Sequence, residues 1–110
     1  MLDFHLGING VAQPGPHLGG LDMGEMDRLQ RNGFLLKSDH GHFPDPEESI
    51  PYFEDTVLNA DQVKLVYARF SEKLKQVEST GGFYDPAVEK LGAILKAAVE
   101  SNNGISTIAD

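Results

Sequence analysis

Two amphipathic segments in the second half of the chain constrain its fold more than any other feature. Apolar residues of the first recur at helical spacing along one stripe, formed by Val63, Val66, Tyr67, Phe70, Leu74 and Val77. The apolar face of the second is formed by Val88, Leu91, Ile94, Leu95, Ala98 and Val99. A stripe of this period is buried against another element. The two segments therefore predict two long helices, over 60–80 and 86–103, that pack on each other.

Capping residues mark where these helices and a shorter, earlier helix begin and end. Side chains that cap helix N-termini stand at the predicted starts, as the pairs Asp22 with Glu25, Asn59 with Gln62, and Asp85 with Pro86. Glycine, which accepts the left-handed conformation that ends a helix, is found in Asn32–Gly33, Gly81–Gly82 and Asn103–Gly104. The short helix is thus predicted from Asp22 to Asn32–Gly33.

Alternating apolar residues at the N-terminus predict a strand. Leu2, Phe4, Leu6 and Ile8 alternate with polar residues or glycine, which indicates a half-buried strand over 2–9. Residues 10–20 are rich in proline and glycine and predict a loop, while 34–38 and 105–109 are candidates for further strands. We therefore predict one α+β domain over 1–110, dominated by the two long C-terminal helices and completed by a small sheet. An all-α bundle with extended arms is the alternative.

Composition excludes several classes of function. The chain has no cysteine, which removes disulfides, thiolate nucleophiles and cysteine-based metal sites. Its formal net charge of −8 argues against nucleic acid and anionic membranes as partners. No apolar run is long enough for a membrane span, and no basic region opens a signal peptide. The expected location is therefore the cytoplasm.

The acidic residues are concentrated in the middle of the chain. Residues 38–63 contain seven acids and no lysine or arginine. Such a segment attracts a basic protein and raises its association rate. Tyr52 and Phe53 lie between the acids and are candidate interface anchors. The predicted partner-binding residues are Asp45, Glu47, Glu48, Tyr52, Phe53, Glu54 and Asp55.

The segment Ser38-Asp39-His40-Gly41-His42 raises an enzymatic alternative. His40 and His42 point the same way if the segment is extended, but a metal site needs a third ligand from His5, His17 or a carboxylate. Consecutive Ser38, Asp39 and His40 do not suit a catalytic triad, whose members are brought together by the fold. We therefore expect no catalytic residue, metal or cofactor. A small metal-dependent or hydrolytic enzyme using His40 and His42, or a structural oligomer without a ligand, remains the alternative.

In its size, its acidity, and its lack of cysteine and of a catalytic constellation, the chain resembles the small immunity proteins of bacterial toxin systems, including contact-dependent inhibition. The resemblance is one of overall character and transfers no binding residue. It implies inhibition of a cognate toxin domain, commonly a nuclease, which would be the basic protein partner that the acidic segment predicts.

The histidine pair can be tested through stability. We expect zinc or nickel at micromolar concentration to leave the melting temperature nearly unchanged, because the local sequence offers only two imidazoles. A ligand present at 100 times its dissociation constant would add about 2.7 kcal/mol to the free energy of unfolding. A rise of several degrees that His40→Ala with His42→Ala abolishes would establish a metal site.

Overall fold

The computed structural model describes residues 1–7, 15–35, 50, 55–79, 81 and 85–109. Within these ranges the chain forms three helices and one four-stranded antiparallel sheet. The strands are β1 (Leu2–Gly7), β2 (His17–Leu21), β3 (Thr56–Leu58) and β4 (Gly104–Ala109). The helices are α1 (Met23–Arg31), α2 (Ala60–Ser79) and α3 (Pro86–Glu100). The predicted α+β class with two long C-terminal helices is confirmed.

The first and last strands form the centre of the sheet. The strand order is β2-β1-β4-β3, and β1 pairs with β4 from Leu2↔Ala109 to Gly7↔Gly104. β2 pairs with the other edge of β1, with an irregularity between Phe4 and His5. The strands predicted at 2–9 and 105–109 are thus confirmed, over 2–7 and 104–109.

The two faces of the sheet differ in chemistry. Leu2, Phe4 and Ile105 are fully buried in the core that the helices cover. The alternate residues of the same strands point the other way, since successive side chains of a strand alternate between faces. We call this second surface the outer sheet face; its residues include Asp3, His5, His17, Val57, Ser106 and Ile108. Val57 is 74% exposed, so the described helices leave this face uncovered.

The predicted N-terminal caps are present. The Asp22 carboxylate accepts the Glu25 backbone N–H at 2.7 Å, and the Glu25 side chain accepts the Asp22 N–H at 3.1 Å. Asn59 and Gln62 make the same reciprocal pair, at 2.9 Å and 2.7 Å. Each pair satisfies amide groups that the first helical turn leaves without a backbone partner. These contacts fix the starts of α1 and α2 where the sequence places them.

The third helix ends earlier than predicted. Its last residue is Glu100, and Asn102, at φ 56°, adopts the left-handed conformation expected of a glycine. The N–H groups of Asn102 and Asn103 return to the carbonyls of Val99 and Ala98, both at 3.0 Å. Gly104 instead begins β4, where a Cβ would lie 2.1 Å from the Leu58 carbonyl oxygen. Close strand packing therefore requires this glycine.

Two strand predictions are corrected. Part of the predicted 10–20 loop forms β2, because residues 17–21 find backbone partners on β1. The strand predicted over 34–38 is wrong at Phe34 and Leu35, which are buried without strand pairing. The remainder of that prediction lies outside the described residues.

The stripe of α2 is buried unevenly. Val63, Val66 and Phe70 are buried, whereas Leu74 and Val77, nearer the helix end, are only partly buried. The sequence pattern predicts one continuous core face, so this loss of burial is a correction to it.

Of the helices described here, none is long and apolar enough to cross a membrane.

The difference in burial between core positions predicts that shortening their side chains will lower the free energy of unfolding by different amounts. Leu91→Ala should lower the free energy of unfolding by about 2–5 kcal/mol, because it removes a fully buried side chain and leaves a cavity. Leu74→Ala, at a partly buried site, should cost about 1 kcal/mol. Urea unfolding of both variants measures the difference, and equal losses would contradict the assigned core.

Candidate functional site

An apolar groove lies between the C-terminal half of α2 and the N-terminal half of α3. We call it the α2–α3 groove; its volume is about 620 Å³. The described residues that line it are Phe70, Leu74, Val77, Glu78, Gly81, Asp85, Val88, Glu89, Gly92 and Ala93. Leu74, Val77 and Val88 are only partly buried, so the groove presents apolar surface to solvent.

Small residues on α3 explain why the groove exists. A Cβ on Gly92 would lie 3.2 Å from two atoms of the Phe70 ring, so this ring packs directly on the Gly92 backbone. Ala93, the next residue, adds only a methyl group to the wall. The α3 wall of the groove therefore consists of two small residues beside Val88 and Glu89, and Leu74 and Val77 of α2 stay only partly buried.

Three carboxylates border the groove, from Glu78, Asp85 and Glu89, and its described lining contains no lysine or arginine. Asp85 is nearly buried and caps α3 by accepting the Ala87 N–H at 2.9 Å. Glu78 and Glu89 are exposed side chains on α2 and α3. The groove thus combines an apolar floor with a negatively charged border.

Asp85 is held in its charged form by an arginine of α1. Arg28 donates to it through Nε at 2.8 Å and through Nη2 at 3.4 Å. The Arg28 hydrogen bond, aided by the Ala87 N–H, lowers the pKa of Asp85 against the opposing effect of burial. The same hydrogen bond raises the pKa of Arg28. This ion pair connects α1 to the start of α3.

A second ion pair joins the same two helices. Lys90 Nζ lies 2.8 Å from an oxygen of the nearly buried Glu25, whose other oxygen completes the α1 capping box. α1 thus supplies one acid and one base, and α3 supplies their partners. The reciprocal arrangement fixes α1 against α3 and satisfies both nearly buried carboxylates.

The outer sheet face brings together His5 and His17, which the sequence offers only as candidate third ligands for a metal site at His40 and His42. The rings of His5 and His17 meet edge to face, with centroids 5.1 Å apart. His17 Nε2 lies 3.0 Å from an Asp3 oxygen, and His5 Nδ1 lies 3.2 Å from the Gly15 carbonyl oxygen. Nowhere in the described ranges do three or more side chains group as metal ligands.

Most predicted site residues lie outside the described ranges: Asp45, Glu47, Glu48, Tyr52, Phe53 and Glu54, together with His40 and His42. Asp55 is exposed, and its side chain accepts the backbone N–H of Ala109 at 2.8 Å. Ile50, within the acidic stretch, is fully buried in the hydrophobic core. Ile50 therefore ties the acidic stretch to the core ahead of its last residues, 55–63, which include β3 and the start of α2.

Sequence reasoning did not find the α2–α3 groove. The spacing of apolar residues shows which side of each helix faces inward, but it does not show how closely the two helices approach. One signal was available, because Gly92-Ala93 interrupts the large apolar residues of α3 with two small ones.

Comparison of the chain with protein-family models, curated proteins and solved structures finds no match.

The lowered pKa of Asp85 predicts a pH dependence of stability. Its charged form favours the fold, so its contribution is present above about pH 4, where an ordinary aspartate titrates, and is lost as the pH falls through the lowered pKa. Asp85→Asn keeps a cap acceptor but removes the charge. The variant should be less stable than the parent at pH 6, and the gap should narrow towards pH 3.

Asp27→Asn is the matched control, because Asp27 pairs with Arg31 on the exposed surface of α1. Urea unfolding from pH 3 to pH 7 measures all three proteins. Parallel curves for the parent and Asp85→Asn would contradict the role assigned to the Arg28–Asp85 pair.

Proposed function

We propose that this protein binds a basic protein partner and neutralises it. The observation that carries the proposal is the surplus of 17 aspartates and glutamates over 9 lysines and arginines in the chain. Ion pairs among the described residues use one base for one acid, as in Arg28–Asp85, Lys90–Glu25, Arg31–Asp27 and Lys96–Glu100. Because such pairs cancel one acid with one base, the formal net charge of the chain stays at −8. The resulting negative field attracts positively charged molecules around the protein.

The surplus favours association with a cationic surface in two ways. Long-range attraction raises the encounter rate of oppositely charged proteins, and it weakens as salt shortens the screening length. At contact, apolar anchors inside a charged border supply most of the affinity. The α2–α3 groove offers such apolar surface, and the acidic stretch over 38–63 supplies seven further acids.

The most specific form of the proposal is an immunity protein that blocks a cognate bacterial toxin domain in the cytoplasm. Its support is the character of the chain: a small acidic domain without cysteine. Inhibition by binding requires no catalytic group of its own, and a basic nuclease domain has the charge that this surface would attract. Co-purification from the native source, with identification of the bound protein, is the direct test.

Charge reversal in the acidic stretch tests how the partner is attracted. Glu47→Lys with Glu48→Lys should slow association with the identified partner by about tenfold at low salt, because it reverses the local field. The difference from the parent should shrink as salt rises. Asp55 is left unchanged, since its carboxylate holds the Ala109 N–H.

The matched control is Glu72→Lys with Glu100→Lys, which alters the net charge equally on exposed positions of α2 and α3. Association and dissociation rates at two ionic strengths, with thermal unfolding as a check on folding, separate the variants. Equal slowing by both would assign attraction to net charge alone. Unchanged binding in the Glu47/Glu48 variant would place recognition elsewhere.

A further inference from the structure

We propose that the α2–α3 groove is the docking site for one cationic amphipathic helix of the partner. This inference rests on the proposed function, because it names the element of a basic protein that the groove would accept. The partner helix would place apolar side chains on the groove floor and lysine or arginine side chains against its carboxylates.

The dimensions of the groove suit a helix. From Phe70 to Val77 its α2 wall extends over eight residues, and the seven steps between them cover about 10.5 Å at the rise of an α-helix. Apolar anchors at positions i, i+3, i+4 and i+7 of a bound helix cover the same distance of about 10.5 Å. Two helical turns of the partner therefore match the length of this wall, whose partly exposed apolar side chains are Leu74 and Val77, because Phe70 is buried at its inner end.

The electrostatics of the groove select the sign of that helix. Its described lining holds three carboxylates without lysine or arginine, and Arg28 already neutralises Asp85. Glu78, exposed near the C-terminal end of α2, is a carboxylate that a basic side chain could reach from the groove. An acidic or purely apolar helix would offer no opposite charge to Glu78, whereas lysine or arginine beside the apolar anchors would complement it.

The chain offers a matched pair of charge variants on one helix. Glu78 lines the groove, whereas Glu72 is exposed six residues earlier on α2 and does not. Glu78→Lys and Glu72→Lys change the net charge equally, so they separate a local contact from general attraction to an acidic protein. A second pair tests the apolar floor: Leu74→Gln within the groove and Leu65→Gln at an exposed α2 position outside it.

The probe is a synthetic 16-residue peptide of leucine and lysine, with leucines at i, i+3, i+4 and i+7. A peptide of the same composition with leucines on all faces controls for charge, and a leucine–glutamate peptide of the first pattern controls for sign. Titration calorimetry with the full chain gives the affinities. Methyl NMR of Leu74, Val77, Val88 and Ala93 locates the contact.

We expect the patterned cationic peptide to bind most tightly and to shift the groove methyl signals. Glu78→Lys should weaken it by about fivefold to tenfold, the size expected for reversing a charge at an exposed border. Leu74→Gln should weaken it by about tenfold or more, since it removes an apolar anchor contact. Glu72→Lys and Leu65→Gln should each change the affinity less than twofold, and circular dichroism should show all four variants folded.

Equal effects of Glu78→Lys and Glu72→Lys, equal binding of both leucine–lysine peptides, or shifts centred on Val57 and Ile108 of the outer sheet face would overturn the proposal. Failure of the groove is distinguishable from failure of the proposed function. A native basic partner that binds the parent and the Glu78→Lys variant equally would reject the groove and retain the function. Peptide binding in the groove, with no basic partner recovered, would reject the function and retain the groove as a site for cationic helices.

Discussion

The pairing of the first strand with the last is the contact on which the rest of the structure depends. β1 and β4 are the two inner strands, so β2 and β3 each attach to the sheet through one of them. β1 and β4 lie at opposite ends of the described sequence, so bringing these two strands together has a large cost in chain entropy. Burial of Leu2, Phe4 and Ile105 beneath the helices offsets that cost. The sheet and the helical layer therefore stabilise each other.

Elements that depend on contacts between residues close in sequence could be predicted accurately, whereas elements that depend on distant contacts could not. The capping boxes of Asp22 and Asn59 use partners three residues away, so the starts of α1 and α2 could be predicted closely. β2 depends on pairing with β1, and its residues His17–Leu21 include two glycines that favour a loop locally. Phe34 and Leu35 are the reverse case: their apolar character suggests a strand locally, but they are buried in the core without strand pairing. Local patterns carry no information on either outcome.

The same distinction applies to the candidate site. The surplus of acids is a property of composition and could be derived from the sequence, whereas the α2–α3 groove results from two helices meeting through Phe70 and Gly92. The stripe of α2 is continuous in sequence, yet its burial declines after Phe70, where Leu74 and Val77 line the groove together with the partly buried Val88. A hydrophobic face can thus serve the core at one end and remain accessible to a partner at the other.

Asp85 couples the stability of the fold to the shape of this groove. Its side chain caps α3, lines the groove and accepts from the Arg28 guanidinium, so one carboxylate contributes both to the start of α3 and to the packing of α1 against it. The hydrogen bonds from Arg28 and from the Ala87 N–H outweigh the effect of burial, since the pKa of Asp85 is lowered. A partner cation would compete poorly for a carboxylate already held by two donors. The exposed Glu78 is better placed to attract a ligand, while Asp85 keeps the wall of the groove in position.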